Sequence, residues 1–481
     1  MNVLLYVFDA LRADHVSTYG YERNTTPNLD SLADDGIVFE QCFSPTTWTR
    51  AVAVSLLTGV SPLVHGTKHI DSGYNPPLPP LSEQFQQAGY QTIGVGSMPN
   101  LRGEWGFNRG FDTYRDMYND EQVLERREQM ESHNPDSGDE IAMTRAEDVN
   151  RGFIEWYESE YEEGGFFSML WSNETHAPYN PPEGFETYTD PDYEGPVDGS
   201  PDSHKVISND ADVQHLINLY DSEIRYADSC FSDLCDFLSQ KNELQNTLIL
   251  AVADHGDAFG EHGQFGHGIA PHDTVTHVPL IIRPPNPEVN NHRVGELMSL
   301  LDIYPTLLEY IDGLSLYPNL DSFLQGNSFK EALKGASIEG HDYVFQNVQL
   351  EEVKEEYNSV RSPEWRYMEV EQDKDIGWGL SAAKLAVQRG VILDIVKNPK
   401  YYLERHLHSD DNLLFNIGND PGEQENVISN SPKVAKKLSD RLETWVSERE
   451  QLRNELDATE STITIEGEAK ERLEELGYLQ G

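Results

Sequence analysis

Three short apolar runs in the sequence each end in side chains that can hold a cation or move a proton. Val3 to Phe8 ends at Asp9. Phe166 to Trp171 is followed by Asn173, Glu174, Thr175 and His176, and Thr247 to Val252 leads through Ala253 to Asp254, His255 and Gly256. One acidic residue after an apolar run is common and carries little information. Three such clusters, supplying carboxylates and imidazoles together, carry more. Ligands of parallel α/β sheets bind just beyond the carboxyl ends of the strands, so these groups are expected to share one rim. Asp and His, joined by an oxygen nucleophile, make a compact site for a divalent cation.

The elements that must position these residues are legible as alternation. Val3 to Phe8, Thr92 to Val95, Phe166 to Trp171, Thr247 to Val252 and Val278 to Ile282 are short, nearly continuous apolar runs, the pattern of strands buried on both faces. Helical periodicity lies between them, at Pro27 to Asp35, Leu81 to Ala88 and Val213 to Gln240. The expected fold class is α/β, with a large, mostly parallel central sheet sandwiched by helices. Segments 119–163 and 183–212 are acidic and rich in turn residues, and the second is expected to loop over the active face. After about Phe345 the strand-like pieces shorten, and Glu369 to Tyr402 resists assignment. A terminal helix follows, with Ser431 as N-cap, Pro432 in its first turn, and Leu438, Leu442, Trp445 and Val446 along one face. We therefore expect a catalytic domain over 1–345 and a smaller C-terminal α+β subdomain over 346–481, ending in helices.

Bulk properties exclude several functions. The chain has 481 residues, with 84 Asp plus Glu against 35 Lys plus Arg and a formal charge of −49. A surface this acidic repels nucleic acid and anionic membranes. The carboxylates spread along the whole chain, as on the solvated surfaces of halophile proteins. Cys42, Cys230 and Cys235 have no metal-type spacing and read as buried thiols. Met1 to Asp9 reads as a strand rather than a signal peptide, and no apolar stretch approaches membrane-spanning length, so a cytoplasmic location is expected.

Several motifs carry a resemblance. Asp9-Ala10-Leu11-Arg12-Ala13-Asp14-His15 resembles the opening motif of the sulfatase branch of the alkaline phosphatase superfamily. In family order there follow Thr26-Pro27-Asn28-Leu29-Asp30-Ser31-Leu32, Ser55-Leu56-Leu57-Thr58-Gly59 and Asp254-His255-Gly256-Asp257 with Gly260-Glu261-His262-Gly263. Val278-Pro279-Leu280-Ile281-Ile282, Asp302-Ile303-Tyr304-Pro305-Thr306-Leu307-Leu308 and Asn419-Asp420-Pro421-Gly422-Glu423-Gln424-Glu425-Asn426 complete the set.

The resemblance implies an ester hydrolase or transferase with one divalent metal ion, Mn, Zn, Mg or Ca, held by Asp9, Thr49, Asp254 and His255. Counted back from Gly59, the family's nucleophile position falls on Thr49. Sulfatases have there a cysteine or serine that is oxidised to formylglycine. Threonine is not a substrate for that maturation, but it can serve as a metal-activated alkoxide. A helix beginning near Ala51 would give Thr49 a capping role compatible with catalysis. Other positions depart as well: the second Asp is Ala10, an arginine is replaced by Ala53, and a Lys-Trp-His segment reads Ser97-Met98-Pro99-Asn100. A phosphate mono- or diester is therefore favoured, with sulfate hydrolysis without formylglycine or silent anion binding as alternatives. His176 corresponds to the family histidine that contacts the ester or assists the leaving group. Asn100, Arg50, His267 and His272 are candidate substrate contacts. The expected partner is a small anionic ester of a sugar, lipid head group or metabolite.

Overall fold

A computed structural model of the chain describes residues 1–481 apart from 75–77, 127–143, 288, 315–321, 351–354, 373–411, 457–462, 464, 466–469 and 471–481. Parts of the acidic 119–163 segment, and most of the unassigned stretch up to Tyr402, lie outside the described residues. The strands, in chain order, are β1 (Asn2–Phe8), β2 (Ile37–Phe43), β3 (Gln91–Gly96), β4 (Thr113–Asp116), β5 (Phe166–Ser172), β6 (Thr247–Ala253), β7 (Ala258–Phe259) and β8 (Phe265–Gly266). They continue with β9 (His277–Arg283), β10 (His292–Ser299), β11 (Val344–Leu350), β12 (Glu355–Arg361), β13 (Trp365–Gln372) and β14 (Leu413–Asn416).

Eight strands form the central sheet in the order β10-β2-β9-β6-β1-β5-β3-β4. Every residue of β1, β5 and β6 is buried. This is why their sequences are unbroken apolar runs rather than alternating ones. Neighbours in the sheet run parallel except at β9, which is antiparallel to both β2 and β6. An apolar run such as Val278 to Ile282 specifies burial but not direction, so this reversal was not legible in advance.

Helices cover the sheet. The helix Asp210–Gln240 starts three residues before its apolar periodicity, because the Asn209 side chain accepts from the backbone N–H groups of Ala211 and Asp212. Its Phe231 packs on Tyr6 and Phe8 of β1. Ala146–Ser159 is also helical, although its acidic surroundings read as turns. Its buried residues include Val149, Phe153 and Trp156.

A second, four-stranded antiparallel sheet, β11-β12-β13-β14, follows the catalytic region. The helix Pro432–Glu455 lays Ala435, Leu438, Leu442 and Trp445 against Val360, Tyr367 and Leu414 of that sheet, and Leu63 of the larger region joins the same cluster. Ser431 sits at the N-cap but its side chain makes no capping bond. Among the described residues no helix is long and apolar enough to cross a membrane.

Register then sets the level of the rim. Phe8 pairs with Ser172 of β5 on one side and Ala253 of β6 on the other. The next residues, Asp9, Asn173 and Asp254, therefore emerge side by side at the carboxyl ends of three adjacent strands.

Candidate active site

Asp9 and Asp254 are fully buried at this rim, and each is oriented through only one carboxylate oxygen. Trp171 Nε1 donates to Asp9 Oδ2 at 2.8 Å. The backbone N–H groups of Ala10 and His255 donate to Asp254 Oδ1 at 3.0 and 2.8 Å. Ala10 thus contributes its backbone, at φ 60°. Asp9 Oδ1 and Asp254 Oδ2 meet no hydrogen-bond partner. His255 Nε2 lies 3.9 Å from the first and 3.3 Å from the second.

The fourth member is Thr49. Its Oγ1 lies 3.1 Å from His255 Nε2. The helix Thr49–Thr58 begins at this residue rather than near Ala51, and Thr49 is the first helical residue instead of the cap. Backbone N–H groups of its first turn have no intrahelical acceptor, and the helix dipole favours an anion there.

The electrostatics fit a cation. Burial, aided by Asp254, pushes the Asp9 carboxyl well above its ordinary range. Burial likewise lifts Asp254 to about 7. Burial and the nearby His267 hold His255 well below its usual value, as a neutral imidazole with a lone pair to give. Two buried carboxylates with open oxygens, a neutral imidazole and a hydroxyl are a donor set for one divalent ion, which would remove the cost of burying both charges. Asp9, Asp254 and His255 can each present an atom within 4.8 Å of the others.

Further residues surround this quartet. The loop after β8 is tied to Thr47: Gly268 N donates to Thr47 O at 2.8 Å, and Thr47 Oγ1 donates to Ile269 O at 3.1 Å. That tie brings the His267 ring within 4.4 Å of His255 and 4.7 Å of His176. His267 Nδ1 lies 2.7 Å from Asp257 Oδ1, and Tyr179 donates to the other Asp257 oxygen. Although burial raises Asp257, its contacts with His267, His176 and Tyr179 win and lower it to about 2. His176 Nδ1 lies against the Ala177 carbonyl, and burial plus His267 lower the imidazole to about 4. Near pH 7 His176 is therefore a neutral imidazole.

Two expected substrate contacts are engaged elsewhere. Arg50 is fully buried and donates to the carbonyls of Ile70, Ser72 and Asn100 and to Asn100 Oδ1, so it braces the loop after β3. Asn100 keeps a buried Nδ2 without a partner. His272 belongs to a separate group: its Nδ1 lies 3.1 Å from Glu423, and its ring stacks on His262 at 3.6 Å. These rings are nearly parallel, at 7°, so their in-plane lone pairs do not converge on one point. The structure thus places His272 at the seam with the C-terminal segment. The draw is electrostatic, since Arg366 of β13 pairs with both Glu423 and Asp273. Trp171, Tyr179 and Asp257 are the site residues that strand-end logic alone misses. Only Asp257, inside the Asp254-His255-Gly256-Asp257 motif, had a signal in the sequence.

Known proteins bear on this geometry. A family profile described as Sulfatase matches residues 1–314. An arylsulfatase of Clostridium perfringens is 26% identical over 393 residues, covering 71% of this chain and 80% of that protein. A phosphonate monoester hydrolase of Agrobacterium radiobacter superposes with a TM-score of 0.69 at 18% identity, covering 93% of this chain and 96% of the other. A structure solved with its substrate D-glucosamine-2-N,6-O-disulfate gives 0.68 at 17% identity, over 95% and 99%. With the alkaline phosphatase-like sheet, the strand-end metal donors and the profile in agreement, the chain belongs to the sulfatase family and is an ester hydrolase.

Proposed function

We propose that this hydrolase cleaves an anionic ester through Thr49, with phosphate or phosphonate esters preferred over sulfate. The observation that carries the reading is the side chain itself: a threonine, whose Oγ1 lies 3.1 Å from His255 Nε2, at the amino end of a helix. Asp9, Asp254, His255 and Thr49 would hold a single divalent ion, which supplies charge neutralisation of the ester and a lowered hydroxyl pKa. Thr49 Oγ1 attacks phosphorus in line with the leaving oxygen. The bond to that oxygen breaks, and the alcohol departs with the proton that Thr49 Oγ1 gives up. Neutral His176 takes a proton from water as water attacks the phospho-threonine, and that proton passes to the departing Thr49 Oγ1, which releases phosphate and restores both residues. Amide donors at the helix terminus and Asn100 Nδ2 supply hydrogen bonds for the non-bridging oxygens.

A second reading has specific support, because the curated relatives include arylsulfatases. A sulfo-threonine has no second hydroxyl with which to expel sulfate, so water would have to cleave it directly. Metal-loaded protein assayed on 4-nitrophenyl phosphate, bis-4-nitrophenyl phosphate and 4-nitrophenyl sulfate separates the two. A mass increase on the Thr49 peptide after a substrate pulse identifies phosphoryl or sulfuryl transfer. Turnover unchanged in Thr49→Ala would overturn the nucleophile assignment.

A further inference from the structure

Asp257 is buried, and both of its carboxylate oxygens are committed. Oδ1 lies 2.7 Å from His267 Nδ1, and Oδ2 accepts from the Tyr179 hydroxyl. A carboxylate only accepts, so the first bond runs from Nδ1–H. A buried carboxylate is costly unless its charge is met, and arginine is the side chain best suited to meet it. Two other buried histidine–carboxylate pairs follow that rule. Asp221 holds His15 at 2.7 Å together with Arg23, and Glu423 holds His272 at 3.1 Å together with Arg366. Asp257 has Arg12 beside it, yet the bond that Arg12 donates ends on the Asp257 backbone carbonyl, at 3.0 Å. The rest of that guanidinium goes to Asp14 and Glu261. The Asp257 charge is aimed at an imidazole instead.

The backbone fixes where that charge stands. Gly256 admits the Arg12 side chain, because a Cβ there would come within 2.9 Å of Arg12 Cγ and 2.5 Å of Thr274 O. Gly256 N donates to Val275 O at 2.9 Å. One turn after β6 thus carries both the metal donor His255 and the carboxylate that holds His267. On the other side, the bonds between Thr47 and residues 268–269 anchor the His267 loop to the segment that enters the Thr49 helix. The ring stands against both His255, at 4.4 Å, and His176, at 4.7 Å. In an imidazole the hydrogen bond made by one nitrogen decides what the other can do. With Nδ1 spent on Asp257, Nε2 is the nitrogen that can act at the ester.

We infer that Asp257 is a positioning residue for the reaction: it fixes the tautomer and ring plane of His267, so that Nε2 is presented to the ester being cleaved, and it acts on turnover through that histidine alone. Tyr179 holds the carboxylate from its other side and keeps it from turning away. The inference rests on the rim being the ester site. It differs from a structural tie between two loops, because a tie would matter whether or not residue 267 is a histidine.

A double-mutant cycle on the full chain at saturating Mn²⁺ tests it, with the nitrophenyl ester that wild type cleaves fastest as substrate. Asp257→Asn should lower kcat by about 10- to 100-fold while His267 is present. In the His267→Gln background the same change should alter kcat by less than about twofold. An undiminished fall in that background makes Asp257 a structural residue and overturns the inference, as does full activity of Asp257→Asn alone. If Asp257→Asn does not fold, the tautomer is read by nitrogen NMR in Mg²⁺-loaded wild-type protein carrying isotopically labelled histidine, with His267 identified by its loss in His267→Gln. A protonated Nδ1 supports the inference, and an unprotonated Nδ1 overturns it. Should wild type cleave no nitrophenyl ester while Nδ1 carries its proton, the reading of the rim as the ester site fails and the pairing does not.

Discussion

Thr49 joins two demands that usually conflict, since it starts a helix and faces a cluster of buried charge. Its γ-methyl adds bulk that serine lacks, while its hydroxyl is the oxygen that the proposed reaction phosphorylates. Thr49→Ala should lower kcat by at least about a thousandfold, the scale seen when a nucleophile is removed, while metal at saturating concentration still binds through Asp9, Asp254 and His255, as elemental analysis would show. Asp254→Asn should instead lose metal affinity by on the order of 10- to 100-fold, visible as a higher Mn²⁺ or Zn²⁺ concentration for half-maximal activity. His65 makes a prediction about pH. Its Nδ1 accepts from the Thr67 N–H at 3.1 Å and its Nε2 lies 3.0 Å from Ser55 Oγ, so the neutral ring is fully used. Burial lowers it to about 3. The unfolded chain takes up this proton as pH falls below about 6.5, whereas the folded chain does not until about 3. Stability from this residue is present above 6.5 and is lost across that window. Urea denaturation at pH 7 and 4.5 should show roughly 2–3 kcal/mol of loss attributable to it, absent in His65→Gln.

At the scale of elements, the seam between the two sheets hangs on Arg366. The side chain is fully buried and meets Asp273, Glu423, Pro271 O and Thr276 Oγ1 from one strand of the smaller sheet. Arg366→Met removes the cation but leaves the buried Glu423 and the adjoining Asp273, so destabilisation of about 3–5 kcal/mol is expected in chemical denaturation. The loop that carries His267 begins just before these residues, so the same variant should lower activity more than its stability loss explains. None of this could be read from sequence, because Asp273 and Arg366 are 93 residues apart and neither belongs to an apolar pattern. By contrast β1, β5 and β6 were legible, since burial on both faces leaves an unbroken apolar run that ends where the chemistry starts. Asp9, Asp254 and His255 were legible for that reason, and Thr49 only through motif spacing. The destinations of Arg50 and His272 were not, because a charged side chain names no partner in sequence.

For the molecule as a whole, charge dominates. A net −49 on 481 residues must be spread over the surface, and its self-repulsion acts against compactness. The Debye length falls from about 10 Å at 0.1 M salt to about 3 Å at 1 M. The thermal midpoint should therefore rise as NaCl increases over that range. A midpoint that falls or stays flat would mean that the acidic side chains are neutralised by contacts rather than by counterions.

The indole of Trp171 has a consequence beyond holding Asp9. It is buried, and its N–H touches an oxygen of the carboxylate whose other oxygen would meet the metal. A cation bound there would polarise that carboxylate and with it the indole, which would then report metal occupancy optically. Titration of the metal-stripped protein with Mn²⁺ or Zn²⁺ should change its near-ultraviolet circular dichroism or its emission at one equivalent. Trp171→Phe should erase most of that signal.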